Sequence, residues 1–403
     1  MLCQFTFKNF KSYRDETTFD LQAENLKEFQ DSLITFEKDK KKLLPVSVLY
    51  GPNGGGKSGL LEALSSLLAF VLRPVFLVKY NESLPVESSG TMIIPFKFDE
   101  TAAKEPTEFE IYFREGKYEF RYNLILYENK IIEEYLYRLA IGGKKPAMIF
   151  ARYDDKIDLG TELKKAKVSV DVNESMAYLA FLALTYKIEV IQTAFNWFDK
   201  TNYIDYSNPT SEIYARINFS YRSDKIVKGL LEMLHHMDID ISGIRLDDDE
   251  KLYTAHNIGE KQIELMLEEE SQGTIKLIGL LPHLLKALSQ GGLMIVDELD
   301  AKLHPKLLRY IIKLFTNKET NPHGAQLIFT SHDLSTMKND LLRRDEIWFA
   351  AKDSQNVSRI YSLYDLRDER HDHVKATAAY DKQYLEGRYG ADPYLTQMLR
   401  WEE

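Results

Sequence analysis

A mixed α/β fold, with a buried parallel core, an antiparallel β lobe and a helical insertion, is the architecture this sequence predicts. Three observations predict it. The β-rich run Val46-Ser47-Val48-Leu49-Tyr50 leads through a glycine-rich stretch into Leu60 to Leu68, where apolar residues recur at helical spacing. Two later apolar runs, Leu293 to Val296 and Leu327 to Phe329, end abruptly in polar residues, as buried parallel strands do at their carboxyl ends. Between these regions, Glu108 to Phe113 and Tyr118 to Tyr127 alternate or cluster β-formers about Arg114-Glu115-Gly116-Lys117, which reads as a hairpin turn.

The elements follow in order. Phe5 to Tyr13 opens with a strand. Lys38-Asp39-Lys40-Lys41-Lys42 is the one dense basic cluster and reads as a solvated loop. Gly51-Pro52-Asn53-Gly54-Gly55-Gly56-Lys57-Ser58 then fills every fixed position of the pattern G-x-x-x-x-G-K-[ST]. In that pattern the glycines let backbone N–H groups turn inward around phosphate oxygens, Lys57 adds a cation at the outer phosphates, and Ser58 is placed to ligate Mg²⁺ at the head of the helix. A nucleoside triphosphate, ATP with Mg²⁺, is the expected ligand. Ile93 to Phe98 reads as a further strand of the lobe. Glu174 to Phe198 and Ser223 to Met237 turn helical, the second repeating Ile226, Val227, Leu230, Leu231 and Leu234.

Glu268-Glu269-Glu270-Ser271-Gln272-Gly273-Thr274 opens the next helix, with Ser271 a good N-cap. Leu293-Met294-Ile295-Val296-Asp297-Glu298 ends in adjacent carboxylates that point differently. Asp297 is thereby expected to hold hydrated Mg²⁺ and Glu298 to polarise the attacking water as general base. Leu327 to Asp333 is a strand ending in His332, a position from which a side chain can reach a γ-phosphate. Asp345 to Ala350 reads as one more core strand, and Tyr384 to Leu395 as an irregular, aromatic-rich segment.

Taken in order, the phosphate loop, Ser-Gln-Gly-Thr, Val-Asp-Glu-Leu-Asp-Ala-Lys-Leu-His-Pro and Thr-Ser-His-Asp resemble the P-loop, ABC-type ATPase head of SMC and DNA-repair proteins. The opening Asn9-Phe10-Lys11-Ser12 is similar to that group's amino-terminal signature. Within the group, the Ser271-x-Gly273-Thr274 form, the Leu303-His304-Pro305 and the short chain look most like bacterial AAA-family ATPases of anti-phage and abortive-infection systems. These include relatives of the OLD, RloA and AbiL types, and the Gly387-Arg388-Tyr389-Gly390-Ala391 tail looks similar to the RloA carboxyl end. The resemblance covers residues 1–75 and 245–350 well.

It implies a slow ATPase whose Ser271 and Gly273 meet the γ-phosphate bound to a partner subunit, with Asp300 as the aspartate of the D-loop and His332 as the switch histidine. Gln272 departs from the commoner small residue, and the Q-loop glutamine has no assigned position. It also implies a homodimer closed around ATP, with higher oligomers open, and a separately encoded effector. The expected domains are a nucleotide-binding core over 1–75 and 245–355, a β-rich lobe over 76–172, a helical insertion over 173–244 and a carboxyl-terminal segment over 356–403, a candidate for partner docking.

Composition narrows the function. The chain has 403 residues, 44% of them hydrophobic, enough for a large core and more than one lobe. A single cysteine, Cys3, excludes a disulfide framework and a Cys-x-x-Cys zinc hook. Apolar stretches such as Ala177 to Ala183 and Leu277 to Leu285 are too short or interrupted to cross a bilayer, and no export signal is visible, so the cytoplasm is expected. A net charge of −10 argues against wide binding of nucleic acid and leaves only a local basic groove open. The 24 Tyr and 21 Phe read first as sheet packing and second as a stacking platform for single strands. No sustained heptads lie between Gly51 and Ser271, which excludes the long coiled coil of a chromosome-tethering SMC protein. The stretch beyond His332 is too short for a Toprim nuclease domain. The function expected first is an ATP-hydrolysing sensor that controls a nuclease or toxin in antiviral defence; the rivals are a repair ATPase acting on DNA ends and an ATP-dependent assembly scaffold.

Overall fold

The computed structural model describes residues 1–80, 93–154, 156–205, 223–249, 251–367 and 371–391. Portions of the expected lobe, insertion and carboxyl-terminal segment, including Leu395, lie outside them. The chain divides into two compact units, one comprising 1–199 with 337–403 and the other 200–336.

The first unit begins with β1 (Leu2–Lys8), which buries Phe5 and Phe7 and turns Gln4, Thr6 and Lys8 outward, the period-two pattern of a half-buried strand. After β2 (Thr17–Asp20) come the hairpin strands β3 (Ile34–Phe36) and β4 (Asp39–Leu43). Most of the lysine cluster therefore lies on a strand, not in a loop: Lys38 sits in the turn before β4, Leu43 is buried and anchors the strand, and Lys40 and Lys41 stay exposed. Fully buried β5 (Val46–Tyr50) then feeds α1 (Lys57–Tyr80). By length and composition alone, α1 over Lys57–Phe76 is apolar enough to cross a membrane, which the sequence reading passed over; here half of that span is packed inside the protein.

The β lobe is a meander of β6 (Thr107–Glu115), β7 (Tyr118–Tyr127), β8 (Lys130–Ala140), β9 (Ala147–Tyr153) and β10 (Lys156–Leu159). Its antiparallel sheet runs β10-β9-β8-β7-β6-β1-β2. The expected turn is present, with Glu115 paired to Tyr118 across Gly116-Lys117. Ile93 to Phe98, expected as a strand, is irregular. Pro95 can donate no ladder bond, and the neighbouring backbone is pinned locally, Phe96 N–H donating to Asn9 Oδ1 at 2.9 Å and Lys11 N–H to the Ile94 carbonyl at 2.7 Å.

Three helices follow in this unit, α2 (Thr161–Ala166), α3 (Tyr178–Thr185) and α4 (Glu189–Lys200). The residue before α3, Ala177, offers no cap. Instead Glu134, fully buried on β8, accepts the first N–H groups of α3 from Tyr178 at 2.6 Å and Leu179 at 3.0 Å, together with the Tyr122 hydroxyl at 2.9 Å. Burial raises its carboxyl pKa, and these donors oppose the shift. Helix α4 buries Val190, Ile191, Ala194, Phe195, Trp197 and Phe198, and Trp197 stacks on Phe113 with ring centroids 4.6 Å apart.

The second unit holds β11 (Asn202–Asp205), α5 (Asp224–His236), β12 (Gly243–Leu246), β13 (Leu252–Ile258), β14 (Lys261–Met266), α6 (Gln272–Gln290), β15 (Leu293–Asp297), α7 (Pro305–Thr316) and β16 (Gln326–Thr330). Strands β11, β15 and β16 are parallel with β15 in the centre, and β12-β13-β14 form a separate antiparallel sheet. Strand β11 lies within the 173–244 stretch that the sequence assigned to helices, so that stretch also contributes to a parallel sheet. The Leu-His-Pro run has a local cause: His304 caps α7 by accepting the Lys306 N–H, and Pro305 takes the first helical position, where a missing N–H costs nothing.

The chain then completes the first unit with β17 (Ile347–Lys352), β18 (Ser358–Ser362) and α8 (Tyr380–Leu385). Strand β17 runs parallel to β5 and antiparallel to β18. The architecture is the mixed α/β fold, with a parallel core, a glycine-rich loop between β5 and α1 and an antiparallel β lobe, that the sequence predicts.

Candidate functional site

The phosphate loop of the first unit is built on its backbone. Gly51 and Gly56 take φ of 145° and 118°, values that side-chain-bearing residues rarely adopt. A Cβ on Gly51 would lie 2.2 Å from the Ala350 carbonyl oxygen, and one on Gly56 would lie 2.6 Å from Ser358 Oγ and 2.8 Å from the Tyr13 hydroxyl. The loop is thus seated on β17, β18 and the amino-terminal segment. Asn53 and Gly54, at its outer curve, are exposed, and Ser58 at the head of α1 is half-buried.

Lys57 folds back over this loop, its ammonium donating to the carbonyls of Gly51 at 2.9 Å and Pro52 at 3.1 Å. Beneath it, the buried Tyr13 hydroxyl donates to the Gly56 carbonyl at 3.0 Å, and Ser12 Oγ meets Ser358 Oγ at 2.8 Å. Burial pushes the Tyr13 phenol pKa upward, so the hydroxyl stays a donor. Asn9 explains the amino-terminal signature. With no exposure and a φ of 55°, it sends its amide to the carbonyls of Ala102 at 2.7 Å and Glu105 at 2.9 Å, and so clasps β1 to the strap before β6.

The second unit carries the carboxylates. All of β15 is buried, and Asp297 at its end is 5% exposed. Thr330, at the end of neighbouring β16, donates its hydroxyl to Asp297 Oδ1 and accepts the Glu298 N–H at 2.7 Å. One hydroxyl therefore fixes both carboxylate residues. Glu298 holds a φ of 53° and Lys302 one of 61°, so the turn between them begins and ends in the left-handed region, at a cost of roughly 1–2 kcal/mol each.

Asp300 accepts the His332 N–H at 3.1 Å on Oδ2, while the His332 residue as a whole is exposed. Ser271 is the N-cap of α6, accepting the Thr274 N–H at 3.2 Å. Next to it, Gln272 Oε1 accepts from Lys302 Nζ at 3.1 Å, and a Cβ on Gly273 would meet the Lys302 carbonyl at 3.0 Å. The second unit thus brings together Ser271, Gly273, Asp297, Glu298, Asp300 and His332, and the first unit brings together Gly51 to Ser58.

A divalent cation of the Mg²⁺ type is served by one or two carboxylates plus water and phosphate oxygens. Asp297 fits that demand, since Thr330 occupies only one side of its carboxylate and the residue ends a buried strand. Ser58 offers a hydroxyl at a helix head. Sequence reading gave no role to Tyr13, Ser12, Ser358, Thr330 or Lys276. Signals existed for Ser12 in the amino-terminal signature, for Thr330 in the Thr-Ser-His-Asp motif and for Lys276, a lysine inside the apolar run Ile275 to Leu277.

Residues 46–338 match the family model described as AAA domain, putative AbiEii toxin, Type IV TA system. No curated protein sequence matches the chain. Among solved structures it is similar to the SMC head domain from Thermotoga maritima, at 15% identity over 90% of this chain and 98% of that one, with a TM-score of 0.40. It is likewise similar to a Smc head with a coiled coil and joint from Pyrococcus yayanosii, at 12% identity over 96% and 99% with a TM-score of 0.41. A third is a Smc head bound to the C-terminal domain of ScpA, derived from Pyrococcus furiosus, at 15% identity over 90% and 96% with a TM-score of 0.39. Since the matched model spans most of the sequence, from β5 to beyond His332, the chain belongs to this family of AAA-domain proteins.

Proposed function

We propose that the protein is a slow, Mg²⁺-dependent ATPase that controls a separately encoded effector, a nuclease or toxin, in bacterial defence against phage. The observation that supports the enzymatic part is Thr330, whose hydroxyl holds the Asp297 carboxylate and the Glu298 backbone N–H, a fit to one carboxylate for the cation and the next for water. In this reading Gly51 to Gly56 cradle the phosphates with backbone N–H groups, Lys57 turns from its loop carbonyls to the outer phosphates, and Ser58 and Asp297 hold Mg²⁺. When bound, the ion draws charge from the phosphates. Glu298 takes up a proton from the attacking water, and His332 donates toward the γ-phosphate.

The defence role rests on the motif resemblance and on the description of the matched family. Dimerisation follows from the motifs. One phosphate loop and one Ser271-Gln272-Gly273 turn per chain make two complete sites only in an isologous pair, with Ser271 and Gly273 of each subunit meeting the γ-phosphate of the other. ATP then joins the subunits and hydrolysis releases them, a change an effector can sense.

The test uses Glu298→Gln, expected to keep ATP affinity while lowering kcat by about 100-fold or more, because the amide retains the shape but cannot accept the proton. In ATP, light scattering should report a dimer for Glu298→Gln, and a monomer once Ser271→Arg is added. Unchanged phosphate release by Glu298→Gln would refute the base assignment. A persisting ATP-dependent dimer in the double variant would reduce Ser271 to the helix cap it visibly is.

A further inference from the structure

Lys276 lies one turn into α6, only 3% exposed, with its ammonium enclosed by protein. Its Nζ donates to three carbonyls of the carboxylate turn, those of Glu298 at 2.8 Å, Leu299 at 2.9 Å and Ala301 at 2.7 Å. Three donors is the full capacity of an ammonium group. A buried ammonium is costly unless it is hydrogen-bonded, so the group belongs where these carbonyls converge. Burial draws its pKa down to about 7, while Asp300 and Glu298 act in the opposite direction.

The turn it grips is the strained one. Glu298 and Lys302 bound it in left-handed conformations, and such geometry persists only where neighbours over-determine it. The same helix carries the Ser271 turn at its amino end, and that turn touches the far side of the carboxylate turn through Gln272 and Gly273 against Lys302. From the other side, Glu270 Oε1 accepts from Thr254 Oγ1 at 2.6 Å and pairs with His256 Nε2 at 2.7 Å on β13, fixing the residue that leads into Ser271. Gln272, the departure from the commoner small residue, is part of this linkage. The Ser271 turn and Glu298 therefore belong to one continuous network inside the second unit.

We propose that Lys276 is a positioning residue that holds the strained Glu298–Lys302 turn to α6 and transmits occupancy of the Ser271 turn to the backbone of Glu298. The linkage rests on the ATPase reading above for its consequence, though not for its geometry. A displaced catalytic carboxylate loses rate out of proportion to any loss of binding, with about 1 Å worth about 100-fold. Loss of Lys276 should therefore appear in kcat and leave nucleotide affinity alone.

Two measurements test this. In nucleotide-free protein, hydrogen exchange of the Ala301 and Leu303 amides, which close the turn onto the carbonyls of Glu298 and Asp300, should be about tenfold or more faster in Lys276→Met than in the parent. In hydrolysis, Lys276→Met should lower kcat by about 10- to 100-fold with ATP affinity within about twofold. A cycle with Ser271→Ala should then be non-additive, the serine substitution losing its effect once Lys276 is absent. Lys276→Arg, which keeps the charge but not the three-way geometry, should fall between, and supplies the same readings if the methionine variant does not fold. Unchanged exchange would overturn the proposal whether or not the parent hydrolyses ATP, and additive effects in the cycle would overturn transmission. A parent without ATPase activity would instead refute the function proposed above, with the exchange result still deciding the role of Lys276.

Discussion

Two turns, each following a buried strand of a parallel pair, are built by opposite means. The loop after β5 reaches its positive φ values with glycine, at Gly51, Gly54 and Gly56, and at Gly51 and Gly56 it packs so closely that added Cβ atoms would strike Ala350, Ser358 and Tyr13. The turn after β15 also takes positive φ, but in the left-handed region and with Glu298 and Lys302, residues that resist it, and relies on Thr330 and Lys276 to hold it. The difference follows from what each turn presents. In the function proposed above, the first turn presents backbone N–H groups to phosphate, so side chains are removed. In that same function the second turn presents a carboxylate, so its strain has to be offset by neighbouring side chains.

The sharpest way to break this contrast is to give the first turn a side chain. Gly56→Ala must place a methyl 2.6 Å from Ser358 Oγ at a φ of 118°, so loop and supports shift together. We expect about 3 kcal/mol of destabilisation and an ATP affinity reduced by about 100-fold or more, read by thermal melting and calorimetry. Affinity within threefold of the parent would show that the loop tolerates what glycine was said to avoid.

The second turn is tested by removing a support and keeping the volume. Thr330→Val deletes the hydroxyl that donates to Asp297 and accepts from Glu298, leaving a buried carboxylate oxygen and an N–H unpaired. The expected cost is about 2 kcal/mol of stability with about a tenfold loss in kcat, while ATP affinity in the absence of Mg²⁺ stays near the parent value. An equal loss of Mg²⁺-free affinity would mean that the substitution damaged the fold and not the carboxylate pair.

The same contrast explains what could be read in the sequence. The strand, loop and helix over 46–68 were legible because a backbone-built device is written in glycines at fixed spacing, and the hairpin at Gly116-Lys117 for the same reason. The carboxylates were legible as an apolar run ending in charge. Their supports were not: Thr330 entered only as part of the Thr-Ser-His-Asp motif, with no bond to the carboxylates in view, and the partners of Lys276 lie more than twenty residues away in sequence, where no local pattern points to them. Ile93 to Phe98 failed as a strand because its β-formers were counted without Pro95 and without Asn9, which takes the Phe96 N–H for itself. Strand β11 was missed because four residues between helices carry too little periodicity to compete with them.

The gentlest test separates pedestal from cradle in the first turn. Tyr13 is fully buried, its ring packed edge-on against Phe7 with centroids 4.9 Å apart, and its only polar atom donates to the Gly56 carbonyl at 3.0 Å. Tyr13→Phe keeps the ring and that packing, so it removes one of the two hydrogen bonds to the Gly56 carbonyl and leaves the other, from the Leu60 N–H at 3.1 Å. Such a loss is worth about 1 kcal/mol. If the hydroxyl only supports the core, all of this appears in the melting temperature and ATP affinity is unchanged. If it orients the Gly56–Lys57 peptide, whose N–H is that of Lys57 at the head of α1, affinity should fall by about threefold as well, because rotating that peptide turns a donor away from the phosphate. Calorimetry on a variant that melts within a few degrees of the parent distinguishes the two. We expect the affinity loss, since Tyr13 and Ser358 are the atoms that a side chain at Gly56 would strike, and a loop so closely seated on one hydroxyl takes its orientation from it.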